Sequence, residues 1–127
     1  MGLRTRTLLL LLLLSTGSCD IPGYIVIKNK SEGEAVYRYE VVDEHGSVQT
    51  RSIEFKDNRK QDEAHIMLGF GHLWTDERIR EYLSTINRIE ILSPTDTIVY
   101  TDKKAMFDLF RKSRRGVLKN VVRVVIH

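Results

Sequence analysis

Cysteine is almost absent from this chain of 127 residues, since Cys19 is the only one. A single thiol cannot form an intramolecular disulfide, so the fold must be held together by its core rather than by cross-links. Zinc sites built from several cysteines are excluded for the same reason. Proline is scarce too, with only two residues, and this excludes a proline-rich binding segment.

Local catalytic and metal-binding motifs are also missing. The sequence contains neither HExxH nor GxSxG, and Gly69-Phe70-Gly71 lacks the third glycine and the lysine of a phosphate-binding loop. His65 and His72 are an odd number of positions apart in one predicted strand, which places them on opposite faces unless the strand bends. We therefore predict no metal, no cofactor and no catalytic residue. An enzyme whose residues converge only in the fold is the weaker alternative.

One long apolar run is present, and it lies at the start of the sequence. Seven leucines span Leu8–Leu14, with Arg4 and Arg6 before them and the small residues Ser15–Ser18 after them. This is the pattern of a secretory signal peptide. The run is well short of the roughly 20 residues that a transmembrane helix needs. We interpret residues 1–18 as a cleaved signal peptide.

The cysteine directly after these small residues resembles the lipobox of bacterial lipoproteins. Thr16 stands where the usual pattern has leucine, and this looser form is similar to that of small uncharacterised lipoproteins of Bacteroidota. The resemblance implies a diacylglyceryl group on Cys19, a lipidated tether over residues 19–22 and attachment to a membrane of the bacterial cell envelope, on its periplasmic or surface face. The alternative is ordinary cleavage after Ser18, which would leave a free thiol.

Positive charge is concentrated near the end of the sequence. Residues 103–127 contain eight lysines and arginines against Asp108 alone, whereas residues 20–102 contain sixteen acidic and ten basic side chains. The densest cluster is Arg111, Lys112, Arg114 and Arg115. We predict that these four residues bind an anionic lipid, glycan or protein. Nucleic acid is not expected, because no stacking aromatic residues are interleaved with the cluster. The alternatives are a solvated helix end and attraction to the acidic part of the chain.

The periodicity of the remaining chain predicts one globular domain over residues 23–127. Its order is β-β-β-β-α-β-β-α-β, an α+β fold with a mainly antiparallel or mixed sheet and two helices on one face. The predicted strands are Gly23–Lys28, Ala35–Asp43, Ser47–Lys56, Ala64–Trp74, Arg88–Leu92, Thr97–Thr101 and Val121–Ile126. One helix is predicted from Thr75 to Ile86 and a second from the N-cap Asp102 to about Ser113, ended by Gly116.

These features together predict a membrane-anchored, non-catalytic binding or interaction module. A structural component of the envelope, or an inhibitor or immunity-type lipoprotein, is the alternative that the same features allow. No residue pattern after Cys19 identifies the partner.

Overall fold

The computed structural model describes residues 22–56, 62–70, 73–116 and 119–127, and for Pro22, Gly69 and Phe70 it describes the backbone only. The predicted signal peptide, Cys19 and His72 lie outside these ranges. So do residues 57–61, which lie between the third and fourth predicted strands.

Within these ranges the chain forms eight strands and two helices, and the predicted α+β class is confirmed. In chain order the elements are β1 (Pro22–Asn29), β2 (Ala35–Val42), β3 (Val48–Phe55), β4 (Glu63–Phe70), α1 (Asp76–Leu83), β5 (Ile86–Leu92), β6 (Thr97–Tyr100), α2 (Lys103–Lys112), β7 (Arg114–Arg115) and β8 (Val121–Ile126). The strand β7 was not predicted, because two residues are too few to show an alternating pattern.

The strands divide into two sheets of four rather than joining in one. Sheet A has the order β4-β1-β8-β7, in which β1 and β8 are parallel and the other neighbours are antiparallel. Sheet B has the order β3-β2-β5-β6 and is antiparallel throughout. Strand β8 lies between β1 and β7: β1 pairs with it from Val121 to Ile126, and β7 pairs with Val121 and Val122.

The first helix is shorter than predicted. The Thr75 hydroxyl caps its start by accepting from the Arg78 N–H at 3.2 Å. The helix then ends at Leu83, where the Ser84 hydroxyl donates to the carbonyl of Glu81 at 2.6 Å. Serine favours such local hydrogen bonds over helix continuation. Ile86 therefore begins β5 instead of ending α1. It is buried, as an apolar residue of the predicted helix would also be.

The second helix starts as predicted and ends earlier. The Asp102 carboxylate accepts from the Ala105 N–H at 3.3 Å. At the other end, α2 stops at Lys112, and the buried Ser113 hydroxyl donates to the carbonyl of Leu109 at 2.6 Å. The prediction that Gly116 ends the helix is wrong. Gly116 has a left-handed φ of 92°, but it follows β7 and allows the chain to turn there.

Both sheets and both helices contribute to one hydrophobic core. Its aromatic centre consists of three rings: Phe110 stacks on Tyr82 with centroids 5.6 Å apart, and Trp74 meets both rings edge-on. The Trp74 indole N–H donates to the carbonyl of Tyr24 at 3.1 Å, which joins this centre to β1. Burying each such side chain contributes roughly 1.5–3 kcal/mol.

Candidate functional site

The four basic residues predicted as a site lie where α2 ends and β7 begins, and they separate into two pairs. The Arg114 guanidinium donates to the Asp76 carboxylate and to the carbonyl of Trp74, each at 3.1 Å. Arg111 approaches the same carboxylate, with its Nε 3.8 Å from Oδ1. Asp76 belongs to the acidic part of the chain. The positions of Arg111 and Arg114 therefore fit the alternative given above, in which the basic residues are attracted to the acidic part of the chain.

Another of the eight basic residues in 103–127, Lys103, forms hydrogen bonds within the domain. Its ammonium group donates to the carbonyl of Leu83 at 2.5 Å and to the carbonyl of Ile86. Leu83 is the final residue of α1, so this lysine satisfies a carbonyl that the helix leaves unpaired. Burial lowers the pKa of Lys103 from its ordinary value.

The second pair, Lys112 and Arg115, lines a cavity of about 410 Å³ that we call the basic groove. The groove runs between the β5–β6 hairpin of sheet B and strand β8 of sheet A. It is lined by Ile91, Ser93, Asp96, Ile98, Tyr100, Leu109, Lys112, Ser113, Arg115, Arg123, Val124, Val125, Ile126 and His127. Its volume is within the range of ordinary ligand pockets.

Apolar side chains form the floor of the groove. Ile91 and Ile98 are direct neighbours across β5 and β6, and Tyr100 lies two residues further along β6 on the same face. Leu109 of α2 and Val124 of β8 are buried and complete the floor. An apolar floor with charged groups at the rim can bind a ligand that has both kinds of surface.

The charged side chains of the groove are predominantly positive. Arg115 donates to the carbonyls of Lys112 and Arg114, at 3.0 and 2.8 Å, which places its guanidinium at the end of α2. In the ranges that the structure describes, neither Lys112 nor Arg123 forms an ion pair. Asp96 is the one carboxylate side chain among the described lining residues.

A second cavity, of about 310 Å³, lies beside α1. Its lining includes the apolar side chains Leu68, Leu73 and Trp74. The two charged residues of this lining, Arg78 and Glu81, pair with each other at 3.2 Å. Their charges are therefore already balanced, unlike those of the basic groove.

The histidines give no metal site in the described part of the chain. His65 is 3.0 Å from a carboxylate oxygen of Glu63, and its ring meets Tyr24 edge-on. No group of three or more histidine, cysteine, aspartate or glutamate side chains that could hold a metal ion occurs among the described residues. His72, the other member of the pair considered above, is outside them.

Sequence reasoning did not assign Arg123, Asp96 or His127 to the site. They come from β8, the β5–β6 turn and the residue after β8, and only the tertiary structure brings them together. Arg123 did leave a local signal, because it is the one charged residue in the otherwise apolar strand VVRVVI. A charge at such a position indicates a solvent-facing side of the strand.

Comparison with known proteins gives no relative for this arrangement: no protein-family model, curated protein or solved structure matches the chain. Neither helix found in the described ranges has the length and apolar character required to cross a bilayer.

Proposed function

We propose that the chain is a lipid-anchored binding module of the bacterial cell envelope, without catalytic activity of its own, and that its basic groove binds an anionic partner. The anchoring is supported by the apolar leader and by the lone Cys19 directly after it. Buried acyl methylenes contribute about 0.8 kcal/mol each, so several acyl chains hold a small domain firmly on a membrane.

The observation that carries the binding role is the charge of the groove. Lys112 and Arg123 line one cavity with Arg115, and the first two form no ion pair among the described residues. Like charges around one cavity repel one another, and an anionic ligand removes that repulsion while its apolar part covers the floor. Arg111 and Arg114 lie outside the lining of this cavity, and both approach the Asp76 carboxylate.

Mass spectrometry of the protein purified from bacterial membranes tests the anchoring. The expected mature chain begins at Cys19 and carries the added mass of its acyl groups. The Cys19→Ala variant is the control and should lack that mass. A mature protein with an unmodified thiol at its N-terminus would contradict the anchoring.

Retention on immobilised poly-L-glutamate tests the groove as an anion-binding site. Reversing the charges of two lining residues, in a Lys112→Glu and Arg123→Glu double variant, should weaken binding roughly tenfold or more and reduce its salt dependence. The matched control is Lys104→Glu, which changes an exposed charge in the first turn of the same helix, outside the groove lining. If Lys104→Glu has as large an effect per charge, only the net charge matters and the groove is not the site.

A further inference from the structure

Sheet A has an incomplete edge along β8. On one side, β8 pairs with β1 over its whole length, from Val121 to Ile126. On the other side, β7 pairs only with Val121 and Val122. In the described part of the chain no strand pairs with β8 beyond Val122 on that side. The open edge faces the basic groove, since every residue from Arg123 to His127 lines it.

The hydrogen bonds show which backbone groups lie at this edge. The carbonyl of Ile126 accepts from the Lys30 N–H at 2.8 Å, so Ile126 bonds toward β1. The Arg123 N–H donates in the opposite direction, to the carbonyl of Ser113 at 2.8 Å. Alternate residues of a parallel strand bond the same neighbour. The N–H and C=O of Val125 therefore point into the groove, on the same side as the N–H of Arg123.

The two faces of sheet A differ in character beside this edge. Val122, Val124 and Ile126 point into the core and are buried. Arg123 points to the outer face, and Arg115 shares that face because it lies directly opposite Val121. A strand added beside β8 would thus have one row of side chains against apolar residues and the other row beside two arginines.

We propose that the groove binds an acidic polypeptide segment of another protein in an extended conformation, paired with the open edge of β8 and alternating between acidic and apolar residues. Main-chain hydrogen bonds to Val125 give the pairing, and the alternation follows from the two faces of the sheet. The inference rests on the proposed function, that the groove binds an anionic partner, and it specifies the chemistry of that partner.

Charged residues on open strand edges also serve to prevent unwanted pairing between proteins. Here the two charged residues beside the open edge, Arg115 and Arg123, are both positive and lie on one face of sheet A, and the other face is apolar. That arrangement repels a second copy of the same basic edge and favours an acidic strand. If the charges only prevented pairing, the protein would show no saturable binding of an acidic peptide, whether that peptide is extended or unstructured.

Two peptides of identical composition separate strand pairing from simple charge attraction. One alternates valine and glutamate, and the other has its valines and glutamates in two blocks. Titration of the full-length protein should give at least tenfold tighter binding of the alternating peptide. NMR hydrogen exchange should show slower exchange of the Val125 amide when that peptide is bound.

A backbone variant tests the main-chain contact. Val125→Pro removes an N–H that does not face β1, so the ladder between β1 and β8 keeps its hydrogen bonds. This variant should bind the alternating peptide at least tenfold more weakly and keep an unchanged circular dichroism spectrum. Lys104→Glu should leave the affinity for that peptide unchanged. If Val125→Pro does not fold, the exchange rate of the Val125 amide in the unmodified protein decides.

Any of the following results would overturn the proposed strand pairing. Equal binding of the two peptides, or no binding of either while poly-L-glutamate is retained, overturns the pairing and leaves the proposed function standing. Loss of binding to both peptides and to poly-L-glutamate overturns both. Preferential binding of phosphatidylglycerol vesicles, or a dimer that occupies the β8 edge, also overturns it.

Discussion

Truncation of the neighbouring residues Arg114 and Arg115 to alanine should have very different effects on the unfolding free energy. In the structure Arg114 donates to the Asp76 carboxylate and to the Trp74 carbonyl, and 18% of its side chain is exposed. Hydrogen bonds involving charged groups contribute about 1.5–3 kcal/mol when buried. Because 40% of the Asp76 side chain is exposed, solvent screening reduces the effect. We expect Arg114→Ala to cost about 1–2 kcal/mol of unfolding free energy.

Within the part of the chain that the structure describes, Arg115 donates to two exposed backbone carbonyls, those of Lys112 and Arg114. Its substitution Arg115→Ala should change the unfolding free energy by no more than about 0.5 kcal/mol. For a domain of this size the cost at Arg114 corresponds to a decrease in Tm of roughly 5–15 °C. Anion binding should show the reverse order, with the larger loss for Arg115→Ala.

Thermal unfolding followed by circular dichroism measures both variants under the same conditions. An Arg114→Ala and Asp76→Asn double-mutant cycle isolates the energy of the ion pair. Equal losses of stability at the two arginines would refute the division of roles. So would an unchanged Tm for Arg114→Ala, because the bonds to Asp76 and Trp74 would then contribute nothing.

Three further predictions follow from single contacts. Phe110 is fully buried and contacts the rings of Trp74 and Tyr82, so Phe110→Ala should cost about 3–5 kcal/mol in urea unfolding. A Cβ added at Gly33 would lie 2.8 Å from the Pro94 ring, so Gly33→Ala should destabilise by about 1–3 kcal/mol, and Pro94→Ala in the same chain should restore most of the loss. The hydrogen bond from Arg88 is the main cause that lowers the pKa of Glu90. The stabilisation from this carboxylate is complete above its ordinary pKa and is lost as the pH falls through the pKa of the folded state. Glu90→Gln should therefore reduce the unfolding free energy at neutral pH and make it less dependent on pH in the acid range. An unchanged dependence of stability on pH would contradict this.

The elements that the sequence predicts well are those with local causes. The turn after β2 is an example: the Asp43 carboxylate accepts from the N–H groups of His45 and Ser47, at 2.9 and 2.8 Å, and Gly46 adopts a φ of 78°. The N-caps Thr75 and Asp102 depend on equally local hydrogen bonds. Such contacts involve residues within four positions of one another, so the sequence alone can indicate them.

The features that the sequence could not indicate depend on distant residues. Ile86 fits the helical period, and its pairing with Val41 of the distant strand β2 makes it the first residue of β5. The division into two sheets likewise follows from which strands pair, and strand alternation does not encode the partner.

The candidate site shows the same limit. The cluster of basic residues at the end of α2 was identifiable from composition, but its division between Asp76 and the groove depends on the directions of individual side chains. The open edge of β8 depends on β7 being only two residues long. The acyl anchor on Cys19 stays a prediction from a local motif.

The parallel pairing of β1 with β8 has a consequence for how the protein is made. These two strands are adjacent in sheet A although they are separated by most of the described sequence. A polypeptide that emerges amino-terminus first, from a ribosome or a translocation pore, cannot complete sheet A until residues 121–126 have also emerged. Long-range pairing of this kind slows folding, because a large loop must close first. Until residues 121–126 are available, the emerging chain has no complete sheet A and can still pass through a narrow pore in an extended form.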